Sequence, residues 1–153
     1  MEDFRRILVV SWMTKEAKEP LHQGISLARK YGAELSIMHV VHNPFGLEGW
    51  NLPIVSLEKE YQKLFEEAKA DLDRIIREEK AKGFPIRELI KKGDPTEEVI
   101  KTVKEEKIHL LILQAHEEWK LEHFLFGRSN EELIRRMPCS ILLVKVEPRP
   151  IRW

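Results

Sequence analysis

LLILQAHEEWKLEHFLFGRSNEELIRRMPCSILLVKV, from Leu110 to Val146, is the stretch whose reading decides the fold. Leu110 to Leu113 and Ile141 to Val144 are short and uniformly apolar. Neither suits a solvated helix face, and both suit strands covered on two sides. Between them, Gly127, Arg128 and Ser129 precede the amphipathic run Asn130 to Met137, with Ser129 and Glu132 at the spacing of a capping box. Such an arrangement aims backbone N–H groups from a helix N-terminus into a loop at the carboxyl end of a strand. Open α/β sheets commonly bind ligands there.

Working outward, Ile7 to Ser11 reads as a first, central strand. Thr14 can cap a helix with Ala17, Leu21, Ile25 and Ala28 on one face, closed by Gly32. Pro20 removes an interior hydrogen bond, so this helix is expected to begin near Glu19. Leu35 to Val41 is a second strand. The segment from His42 to Val55 is long for a connection. Its Phe45, Leu47, Trp50 and Leu52 suggest that it folds over a ligand cleft, the domain's own edge or a partner chain. From Ser56 a long helix carries Leu57, Tyr61, Leu64, Ala68, Leu72 and Ile75 on one face and ends near Gly83.

Ile86 to Ile90 alternates apolar and charged residues, as a strand near a sheet edge does. Asp94, Pro95 and Glu97 then spell a helix start, with Asp94 as N-cap and Glu97 completing a box. That helix is expected to reach about Lys107 with Val99, Ile100 and Val103 inward. Glu147 to Trp153 is a Pro-broken tail. The alternation predicts one α/β domain over residues 1–147 with a tail at 148–153. It is a three-layer α/β/α sandwich around a five-stranded parallel sheet with right-handed crossovers. The likeliest crevice is the switch point between the strands at Ile7 and Leu110.

At 153 residues, 42% hydrophobic and 34% charged, the composition is that of a globular domain with a heavily charged surface. Lys and Arg (26) balance Asp and Glu (26), so no global field favours nucleic acid or an anionic membrane. No apolar run approaches the roughly 20 residues that span a bilayer. The lone Cys139 cannot form an intramolecular disulfide and suits a reducing, cytoplasmic setting. The N-terminus has no secretory signature.

Three segments together carry a resemblance: Arg5 to Val41 (RRILVVSWMTKEAKEPLHQGISLARKYGAELSIMHVV), Gly93 to Ile100 (GDPTEEVI) and Phe126 to Val146 (FGRSNEELIRRMPCSILLVKV). In order and spacing they resemble the universal stress protein family across essentially the whole chain. The resemblance implies the adenine nucleotide alpha hydrolase-like sheet order 3-2-1-4-5. It also implies a homodimer through the last strand, Ile141 to Val146, and a stress-response role. Many members bind ATP, and a second branch does not. The binding branch carries a Gly, two residues, a second Gly, nine residues, and a third Gly followed by Ser or Thr.

Placing the third Gly on Gly127 puts the first on Gln114, the second on Glu117, and Arg128 where the small hydroxyl residue belongs. A Gly lets the chain approach phosphate oxygens, whereas Gln or Glu adds a Cβ and bulk. Glu117 also adds like charge near a polyphosphate. Trp12 stands where binding relatives place an Asp at the end of the first strand. It can fill an adenine-sized space or stack on a planar ligand. Val41 matches a position that lines the adenine pocket in relatives.

The candidate crevice is therefore Trp12, Val41, Gln114, His116, Gly127, Arg128 and Ser129. The expectation is a cytoplasmic, homodimeric binding or regulatory module of the branch with a degenerate ATP motif, without catalytic turnover and without tight ATP binding. The alternative is an adenine-nucleotide-binding member with at most slow hydrolysis, in which Gly127 and Arg128 hold a phosphate or other small anion.

The remaining motifs favour structural roles. His116, Glu118 and His123 match no zinc spacing, so no metal site is expected. His39 and His42, three apart on a strand, face opposite sides and are not a pair. His109 and His22 suit element ends or helix faces. Ser11, Ser129 and Ser140 lack a nucleophile elbow, and Cys139 lacks an activating base, so no catalytic residue is expected. Arg135 and Arg136 complement a helix C-terminus.

Overall fold

The computed structural model describes residues 3–11, 18–41, 55–115 and 130–145, with the side chains of Val41 and of much of residues 55–68 left aside. Five strands form one parallel sheet: β1 (Arg6–Ser11), β2 (Glu34–Val41), β3 (Ile86–Lys92), β4 (Leu110–Ala115) and β5 (Ser140–Lys145), in the order β3-β2-β1-β4-β5. Helices α1 (Lys18–Tyr31), α2 (Val55–Ala81) and α3 (Pro95–Glu105) connect them. Residues 130–136 form a fourth helical segment, α4.

The central strands are apolar on both faces because both faces are covered. Ile7 and Val9 of β1, Leu35 and Ile37 of β2, and Leu110 and Ile112 of β4 pack under Leu21, Ile25 and Ala28 of α1 and Leu72, Ile75 and Ile76 of α2. Their alternates Leu8, Val10, Met38, Val40, Leu111 and Leu113 meet Val99, Ile100 and Val103 of α3 and Leu133 of α4. Each fully buried aliphatic chain contributes about 1.5–3 kcal/mol, against about 0–1 for an exposed ion pair. These two layers therefore dominate stability.

Local signals place the helix ends. Gly32 (φ 62°) and Gly83 (φ 89°) take the left-handed conformation that closes α1 and α2. The Ala33 N–H then donates to the Ala28 carbonyl at 2.9 Å, and the Phe84 N–H to the Glu79 carbonyl at 3.0 Å. Pro20 falls in the first turn of α1, where its missing N–H costs least. His109 sits at an element end as expected: its Nδ1 accepts the Arg6 N–H at 3.1 Å just before β4.

Two expectations are corrected. Asp94 holds the N-cap position of α3 with Pro95 after it, but its side chain makes no capping bond. The Glu97 carboxylate pairs with Arg136 of α4 and completes no box. A guanidinium from across the structure outcompetes a backbone N–H for an exposed carboxylate. Second, the cover of Ile141 to Val144 is incomplete: Val144 and Leu142 pack on one face and Ile141 on the other, but Leu143 stays open. β5 is an edge strand, with Leu143 44% exposed. β3 lies at the other edge, as its sequence predicts, with Ile90 exposed.

Candidate functional site

β1 and β4 lie side by side and parallel, Ile7 opposite Leu110 and Val9 opposite Ile112. The helices that follow them, α1 and α4, pack on opposite faces, so their carboxyl ends form a switch point. Continuing the register brings Ser11 opposite Gln114, and on the other side Ser11 pairs with His39 of β2. By alternation all three point to the face covered by α1 and α2. Each is about 1% exposed. The carboxyl crest of the sheet is thus a buried polar row, Gln114, Ser11 and His39, above an otherwise aliphatic layer.

α4 is tied to this crest by one bond. The Asn130 side-chain amide donates to the backbone carbonyl of Gln114 at 2.7 Å. Asn130 Oδ1 is buried and has no hydrogen-bond partner among the described residues. Among the expected crevice residues, Gln114 is therefore placed at the crest, and the backbone of Val41 ends β2 beside it. Trp12, His116, Gly127, Arg128 and Ser129 lie outside the described residues. So do Glu117, His42, the His116–Glu118–His123 group and the segment of residues 42–54.

A second polar cluster opens from the same row. His39 Nε2 lies 3.2 Å from Glu88 Oε2 on β3, and Asp73 of α2 completes a group whose ligand atoms all lie within 4.8 Å of one another. Lys69, one turn before Asp73, donates to Asp73 Oδ2 at 2.8 Å. Burial holds the His39 imidazole below its usual pKa and outweighs the opposing pull of Glu88. The ring is neutral at neutral pH. Facing an acceptor oxygen of Glu88, the ring carries its hydrogen on Nε2, and Nδ1 is a buried acceptor with no partner among the described residues. Sequence reasoning treated His39 only in relation to His42. The cluster draws one residue from each of three elements, and no local spacing marks it.

Cys139 is half-buried just before β5. Burial pushes its thiol up to about 11, only partly countered by a backbone hydrogen bond near Leu111. It is poorly suited to nucleophilic work. Among the described residues no helix is long and apolar enough to cross a membrane.

The family model described as the universal stress protein family matches residues 3–145. The chain belongs to this family. A universal stress protein of Methanocaldococcus jannaschii is 32% identical over 101 residues, which are 65% of this chain and 62% of that protein. The chain thus spans less than two thirds of that relative's length. Among solved universal stress proteins, UspA of Lactobacillus plantarum superposes with a TM-score of 0.69 at 17% identity, over 94% of this chain and 99% of that one. A family member from Arabidopsis thaliana, solved with AMP bound, superposes with a TM-score of 0.60 at 13% identity, over 95% of this chain and 97% of its own. These likenesses carry the fold: the parallel order β3-β2-β1-β4-β5 with helices on both faces is the universal stress protein sheet.

Proposed function

We propose that this universal stress protein belongs to the branch that does not bind ATP tightly. It acts as a cytoplasmic, homodimeric binding and regulatory module in a stress response, without turnover of its own, and residues 1–147 form its single domain. Gln114 carries this reading. It stands where the first glycine of the phosphate motif belongs, and its side chain is 1% exposed at the end of β4. The crest that a glycine would leave open to a nucleotide is filled. Glu117 and Arg128 depart from the same motif in the connecting loop. The test is isothermal titration with ATP, ADP, AMP and cyclic AMP in the presence of magnesium. No binding at micromolar concentration is expected; micromolar binding of any of the four overturns the reading.

A second reading draws on the relative solved with AMP. Gly127, Arg128 and the N–H groups before α4 would hold the phosphate of a small adenine-containing ligand, with Trp12 and Val41 near the base and His116 and Ser129 alongside. Protein that purifies with an ultraviolet-absorbing adenine compound, lost in Arg128→Ala, favours it over the first.

A further inference from the structure

We propose that His39, Asp73 and Glu88 form a binding site for a divalent transition-metal ion of the Zn2+ type. Three observations support it. The donor set is one imidazole nitrogen and two carboxylates, a borderline set that suits such an ion and leaves room for water to complete the coordination. The separations are close to those required. Four donors about 2.1 Å from a tetrahedral ion stand about 3.4 Å apart; His39 Nε2 and Glu88 Oε2 are already 3.2 Å apart. The Asp73 oxygen, within 4.8 Å of both, closes the rest by side-chain rotation, for which its 32% exposure leaves room.

The third observation is electrostatic. Two carboxylates face one neutral ring, and the cation that now answers them is the Lys69 ammonium, 2.8 Å from Asp73 Oδ2. Its side chain is 38% exposed and can swing into water, so a dication can take its place and balance both carboxylates. The Asp73 and Glu88 side chains are each about a third exposed, which gives an ion a path inward. The imidazole is rigidly placed: it is 2% exposed on a central strand, and its one hydrogen bond runs to Glu88. When the ion takes Nε2, the ring proton moves to Nδ1, which has no acceptor among the described residues. A missing partner for the far nitrogen costs about 10–100-fold in affinity, so a micromolar rather than nanomolar site is expected.

Zn2+ titration of the intact chain, followed by calorimetry, and Co2+ titration, followed by the visible bands of the bound ion, test the proposal. One ion per chain is expected to bind at micromolar concentration. Asp73→Asn and Glu88→Gln, both at partly exposed positions that should leave the fold intact by circular dichroism, are each expected to weaken it by at least about tenfold. Lys69→Met is expected to tighten it, because the competing ammonium is gone. A purely structural role for Lys69 predicts no such gain. The proposal is overturned by the absence of micromolar binding, by binding that the carboxylate variants leave unchanged, which would place the ion on other histidines, or by a Lys69→Met variant that binds more weakly.

Discussion

Gly24 is where α1 comes closest to the sheet. A Cβ there would stand 2.5 Å from Val9 Cγ2 and 3.3 Å from Leu35 Cδ1. Val9 is β-branched, 1% exposed and hemmed in, so its methyl has nowhere to turn. Replacing a mid-helix glycine by alanine normally gains about 1 kcal/mol of helix propensity. Overpacking a closed core costs about 1–3. Gly24→Ala is therefore expected to lose about 1 kcal/mol net in urea unfolding; an unchanged or raised midpoint would show that Val9 yields. At this scale the sequence was legible wherever a single residue dictates its own backbone, as Gly32 and Gly83 do at the ends of their helices. It was not legible at His39, whose chemistry depends on Glu88, 49 residues away.

The elements on the α1 and α2 face are stitched at both ends. Lys18 pairs with Asp71 at 3.2 Å, and at the other end Arg29 pairs with Glu79 while its guanidinium lies 5.3 Å from the centre of the Phe84 ring. Glu79 is the buried partner at 11% side-chain exposure, whereas Arg29 is 48% exposed. Removing the arginine leaves a nearly buried carboxylate with Lys82, at 3.4 Å, as its remaining cation. After allowance for solvent screening of the half-exposed arginine, Arg29→Ala is expected to cost about 1 kcal/mol. Glu79→Gln in the same chain should recover much of it, since a neutral amide needs no counter-charge; additive losses in the double-mutant cycle would deny the coupling. The helices themselves were readable from their apolar spacing because α1 and α3 bury one face each. The α3 capping box misled because spacing records only what is near in sequence, and Glu97 is held by Arg136, 39 residues on.

At the scale of the whole molecule, β5 forms one edge of the sheet. The strand order implied by the resemblance puts it at the edge, whereas run length and hydrophobicity alone do not distinguish a central strand from an edge. Leu143, at 44% exposure, is the most open apolar residue of that strand. Light scattering is expected to show a dimer at micromolar concentration, and Leu143→Glu should weaken association by at least tenfold, about 1.4 kcal/mol or more. A monomeric wild-type protein would remove β5 as an interface. The five-stranded topology was recoverable because strands and helices alternate strictly. Spacing also put Gln114 at the end of β4, but its burial beside Ser11 depends on packing across strands that sequence alone does not record.

The order β3-β2-β1-β4-β5 also sets a condition on the newborn chain. β1, β2 and β3 come first in sequence and can pair among themselves as a half-sheet as soon as they emerge. In that half-sheet the far side of β1 is a raw border, and Ile7 to Val10, at most 1% exposed in the finished protein, lack their neighbour strand. That border closes only when β4 arrives, after β2, β3 and the helices between them have been made. Throughout that interval the ribosome holds out an unmatched, greasy strand edge of the kind to which chaperones attach.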